Sequence, residues 1–141
     1  MNADTSLSVL RNIAFAARCR RAITDARKAA STEPVADIVH RVVFTPAPGY
    51  FLSYDRALVG VYRWLQVDRT RRPRDTPPHR RIADITDAVQ SLLETKPMPV
   101  THALSRVLAS ESAPEFYIDP RYAMRIYRKF KNHPLLLKSV S

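Results

Sequence analysis

Arginine is the side chain through which this chain is best equipped to do chemistry. Of 23 basic residues 18 are arginine, and 13 acidic residues leave a formal charge of +10. A guanidinium is planar, always charged and shaped for two-point contact with phosphate. The chemistry on offer is therefore recognition of polyanions, because a surplus of this size raises their local concentration and speeds encounter with them. Three stretches concentrate it. Residues 6–31 carry Arg11, Arg18, Arg20, Arg21, Arg27 and Lys28. Residues 67–81 hold six arginines (Arg69, Arg71, Arg72, Arg74, Arg80, Arg81) with three prolines and no apolar residue after Val67. Near the C-terminus Arg121, Arg125, Arg128 and Lys129 follow spacings of four, three and one, which leaves one helical face basic. We expect Arg18, Arg21, Lys28, Arg69, Arg71, Arg72, Arg74, Arg80 and Arg81 to meet phosphates. Arg121, Arg125, Arg128 and Lys129 are expected to supply any base or groove contacts.

Other chemistry is poorly provided for. The chain has no glycine-rich phosphate loop, no helical His-Glu-x-x-His pair and no Gly-x-Ser-x-Gly elbow. Its four histidines, His40, His79, His102 and His133, are scattered; His40 and His102 are expected to be partly exposed helix residues. Neither an enzyme activity nor a cofactor or metal is expected. Asp25 and Asp87 recur within Ile23-Thr24-Asp25-Ala26 and Ile85-Thr86-Asp87-Ala88, and a structural role is expected for them, paired with Arg21 and Arg81. With Cys19 as the single cysteine no intramolecular disulfide is possible, which suits a reducing interior.

The elements that must position these residues are set by an internal repeat. Ala47-Pro48-Gly49-Tyr50-Phe51-Leu52-Ser53 aligns with Ala113-Pro114-Glu115-Phe116-Tyr117-Ile118-Asp119, at an offset of 66 that persists to Ala57-Leu58 over Ala123-Met124. Upstream, Pro34, Val35, Arg41 and Val42 fall on Pro99, Val100, Arg106 and Val107 at an offset of 65. Two glycines against eleven prolines, the prolines gathered at segment joints, favour helices ended by proline. Apolar spacings then predict helices over about 6–31, 35–44, 54–66, 82–95, 100–110 and 120–132. The β-branched run around Val42-Val43 would also suit a short strand. Ser53 and Asp119 take the cap position of the third helix of each copy, with Pro120 at the first helical position. Leu52 and Ile118 stand where a hydrophobic staple would. The aromatic pairs Tyr50-Phe51 and Phe116-Tyr117 read as a clasp that seats the third helix on the other two, with one ring of each pair inward.

The expectation is an all-α fold: a tandem duplication of a three-helix unit around a shared core, with extended segments at 47–52 and 113–118. Residues 1–66 and 82–141 form the units; 67–81 form a basic linker, extended and mobile in isolation. Leu135-Leu136-Leu137 in the tail should dock somewhere on the fold. A three-helix unit with a capped, basic last helix resembles the tri-helical helix-turn-helix arrangement, although the joint before that helix is longer than the usual turn. No stretch is long enough to span a membrane, and the N-terminal helix is interrupted by arginine as a secretory segment is not. These readings lead to a cytoplasmic, non-catalytic nucleic-acid-binding protein, DNA or RNA being its partner. The alternative is an adaptor subunit of a larger assembly, using the helical units for protein contacts.

Overall fold

The structure is a computed structural model and describes residues 3–136, with side chains from residue 7 onward. Six helices follow one another: α1 (Ala3–Lys28), α2 (Val35–Val42), α3 (Tyr54–Trp64), α4 (Pro77–Thr95), α5 (Val100–Leu108) and α6 (Pro120–Phe130). The described residues form no strand, so the β-branched run at 42–43 completes a helix end and not a strand. α1 stops at Lys28 because Ala30 turns left-handed, with φ of 57°. Ser31 N–H then reaches back to the Ala26 carbonyl at 2.9 Å, a Schellman closure. α4 starts five residues earlier than expected, since Thr76 accepts from His79 N–H and Pro77 and Pro78 fill the first turn. Ser53 and Asp119 both act as caps, accepting from Arg56 N–H and Arg121 N–H.

The helices sort into two lobes, and sorting does not follow chain order. α1 packs on α2 and α6, and α6 on both of those; α4 packs on α3 and α5, and α3 on both of those. Each half of the chain thus places its third helix on the first two helices of the other half. This corrects the expectation that each third helix is seated on its own two predecessors. It also breaks the likeness to a helix-turn-helix, because α6 and the α5 that precedes it lie in different lobes.

The chain changes lobe at two joints, and these joints cross. Ala47 and Ala113 form an antiparallel bridge, N–H to carbonyl in both directions at 2.9 and 2.8 Å. Phe116 N–H adds a bond to the Val43 carbonyl at 3.1 Å. Phe51 and Tyr117, matched in sequence, both adopt positive φ, 53° and 56°, which swings each strand-like joint into the next helix. The aromatics fill the crossing. Phe15 meets Phe116 edge-on at 5.4 Å, and Tyr50 stacks on Tyr117 at 6.2 Å. Tyr50 is buried and Phe51 half-buried as expected, but Phe116 and Tyr117 are both buried. One continuous core draws residues from both lobes, from Ile38, Val42 and Ala123 to Ile85, Leu104 and Val61. A smaller cluster joins Ile13, Ala16 and Phe130 to Leu136, so the tail docks at Leu136, while Leu137 lies outside the described residues.

Candidate nucleic-acid interface

The linker arginines do not form the free basic strand that composition suggested. Asp68 caps a short 3-10 turn over Arg69–Arg71, and the chain then folds against α4. Arg72 is 4% exposed: Nη1 donates to Asp87 at 2.5 Å, Nη2 to the Gln90 side-chain oxygen at 2.6 Å and Nε to the Trp64 carbonyl at 3.0 Å. Arg74 spans Asp84 (2.8 Å) and Asp87, and Arg69 approaches Asp87 at 3.6 Å. The cause is local. Asp84 and Asp87, one turn apart on α4, put two carboxylates side by side, and the linker supplies the cations that pair with them. Asp87 is therefore partnered from the linker rather than by Arg81, whose guanidinium reaches the Phe51 carbonyl at 3.4 Å. Arg80 donates a two-point bond to Glu115 at 2.9 and 3.1 Å, and these bonds to the carboxylate raise the pKa of Arg80. Arg71 stays exposed, with no ion pair to a described residue.

The other two basic stretches come together. α1 and α6 are neighbours, and with α2 their helices carry eleven basic and three acidic residues, a net charge of +8. The helices of the other lobe carry five basic and four acidic residues. Nearly all of the chain's surplus positive charge therefore sits on one lobe. On α6, Arg121 folds onto its cap Asp119 at 2.7 Å, and both Arg121 and Arg125 lie over the Tyr122 ring at 5.5 and 5.3 Å. Hydrogen bonds from the Arg121 side chain and backbone hold the Asp119 carboxyl below the usual range. Arg128 and Lys129 are exposed at the end of the helix.

On α1, Arg18, Arg21 and Lys28 line a cleft of about 670 Å³ that also takes in Asp25 and the joint Pro46–Pro48. Asp25 makes no ion pair with a described residue, so its expected pairing with Arg21 is not formed. Arg20, which lines the same cleft, donates to the Lys131 carbonyl at 2.9 Å just past α6. Arg20 belongs to the basic first helix but was not among the expected phosphate contacts, and Lys131 was not singled out. The signal that could have found them is weak, since the link between the two ends of the chain depends on the exchange of third helices.

Buried polar groups near the crossing serve the fold. Tyr117 donates to Asp84 at 2.6 Å, and burial, with that bond second, raises its pKa. Burial pushes the Cys19 thiol up to about 12. Among the described residues no group of His, Cys, Asp and Glu could hold a metal, and no helix is long and apolar enough to cross a membrane. His40 and His102 are exposed. Comparison with protein-family models, curated proteins and solved structures finds no match.

Proposed function

We propose that this chain is a non-catalytic nucleic-acid-binding protein whose interface is the lobe of α1, α2 and α6. The observation that carries the reading is the concentration of charge: +8 on those three helices, with Arg18, Arg21, Lys28, Arg125 and Arg128 exposed. A basic face of this kind follows the phosphate backbone and releases counterions as it binds. Tyr122, half-exposed beneath two guanidinium groups, adds a ring on which a base can stack. Of the linker, Arg71 is the residue left to add a phosphate contact. The chain is on this reading a tandem duplication of a three-helix unit, residues 1–66 and 82–141, whose third helices are exchanged. The buried thiol of Cys19 suits a cytoplasmic setting.

Titrating DNA and RNA, duplex and single-stranded, across a salt series tests the reading. Binding should weaken steeply with salt, in proportion to the phosphates neutralised. Binding no tighter than that of an inert protein at low salt would overturn it. An adaptor role in a larger assembly is the second reading, supported by α3, where Val59 is 67% exposed and Tyr62, three residues on, 48%. It expects a stoichiometric protein partner that survives nuclease treatment.

A further inference from the structure

The cleft on α1 has a counterpart on α4, and the differences between the two set it apart. At the offset of 62 that matches Ile23-Thr24-Asp25-Ala26 to Ile85-Thr86-Asp87-Ala88, Arg18, Arg21, Asp25 and Lys28 correspond to Arg80, Ala83, Asp87 and Gln90. On α4 this face is filled. Arg80 is held by Glu115, Asp87 and Gln90 hold Arg72, and Ala83 and Thr86 are buried. On α1 the same face is open. Gly49 stands at the place of Glu115, so Arg18 pairs with no described carboxylate, although Glu111 lines the same cleft, and it keeps a long 3.5 Å contact to the Pro46 carbonyl. Where α4 has the uncharged Ala83 and Gln90, α1 has Arg21 and Lys28, and no described residue pairs with either. Thr24 and Asp25 are exposed at the rim.

The cleft is also more than a charged surface. Its volume, about 670 Å³, falls in the range of roughly 300–1,000 Å³ typical of small-molecule sites. Part of its lining is an apolar floor, Ala14, Ala17, Pro46, Pro48 and the edge of Phe116, which lies beside Glu111 and Ser112. An inorganic anion would use the cations and leave that floor bare. A flat, weakly polar ring attached to a phosphate would use both, since rings gain from apolar contact and phosphate from guanidinium forks.

We propose that this cleft binds one nucleotide unit. Arg18, Arg21 and Lys28 hold its phosphate, the base lies on the Pro46–Pro48 floor against Ala17, and Asp25 and Thr24 accept from sugar hydroxyls. The ligand is either a free nucleotide or the phosphorylated end of a single strand. The proposal deepens the nucleic-acid reading by placing a specific pocket within the basic lobe, and it can fail separately from it.

Calorimetric titration of the full chain tests this with nucleoside 5′-monophosphates, the matching nucleosides, inorganic phosphate, and short oligonucleotides with and without a 5′-phosphate. Monophosphates should bind saturably, at least about tenfold tighter than phosphate or nucleoside alone, a gap of about 1.4 kcal/mol. Arg21→Ala and Lys28→Ala, both at exposed positions, should each weaken monophosphate binding severalfold while the far-ultraviolet spectrum stays unchanged. Arg125→Ala on α6 should leave it intact. Tighter binding of the phosphorylated oligonucleotide assigns the site to a strand end; tighter binding of the monophosphate assigns it to a free nucleotide. Monophosphate binding that is absent, that phosphate equals, or that ignores both α1 substitutions overturns the proposal. Duplex binding that persists in that case leaves the broader reading standing. Nucleotide binding without any strand or duplex binding would instead support the cleft and overturn the broader reading.

Discussion

At the scale of single residues the most consequential side chain is Arg72. Composition placed it in a solvated phosphate-binding strand, yet its guanidinium is buried between Asp87, Gln90 and the Trp64 carbonyl. Arg72→Ala should lower unfolding free energy by about 1–3 kcal/mol, since buried acceptors lose their donor while Asp87 keeps Arg69 and Arg74. Arg71→Ala, one residue away and exposed, should stay within about 0.5 kcal/mol. Urea unfolding of the pair distinguishes a folded linker from a free one, and equal small effects would speak for the free one. Tyr117 makes an alkaline prediction. Its pKa is raised by burial and by Asp84, so its contribution is complete below the ordinary tyrosine value of about 10 and is lost as pH rises beyond it. In the same urea assay, Tyr117→Phe should therefore be less stable at neutral pH but lose less than the parent between about pH 9 and 11. A parallel alkaline fall in both would refute that role. Cys19, with its thiol pushed up to about 12, should resist a thiol reagent until the chain unfolds.

At the scale of elements, local signals were readable wherever chemistry is local. Proline joints, the caps Ser53 and Asp119, and the apolar spacing of α5 and α6 all appear where the sequence put them. Ser53→Ala should cost about 1 kcal/mol. Asp119, held below the usual carboxylate range, contributes above the unfolded value near 4 and loses its contribution as pH falls through the folded one. Signals that depend on a distant partner were not readable. Nothing at Phe51 or Tyr117 announces a positive φ, because both carry side chains for which that region is uncommon. Nor does an arginine-rich stretch state that Asp84 and Asp87 will claim it. α3 and α4 pack closely at Gly60, where an added Cβ would stand 3.0 Å from the Ile82 side chain. Gly60→Leu should destabilise by about 1–3 kcal/mol in a thermal or urea melt, and a neutral result would mean the helices sit further apart.

At the scale of the molecule, a repeat predicts two similar halves but not which helix lies on which. The apolar faces of α3 and α6 satisfy either arrangement, closed or exchanged, because matched positions present matched surfaces. The packing bears on the proposed function because it brings α6 to α1 and concentrates eleven basic residues on one lobe with α2. On the proposed reading this lobe supplies most of the contacts to nucleic acid, and the linker adds at most that of Arg71. The most direct test compares the salt dependence of single-strand binding for the parent, for Arg18→Ala/Arg21→Ala/Arg125→Ala/Arg128→Ala, and for Arg71→Ala. Loss of the four lobe cations should flatten the logarithmic salt slope by up to about 2.8, at about 0.7 per phosphate contact, and loss of Arg71 by at most about 0.7. A slope left unchanged by the fourfold substitution in a folded protein would contradict the account.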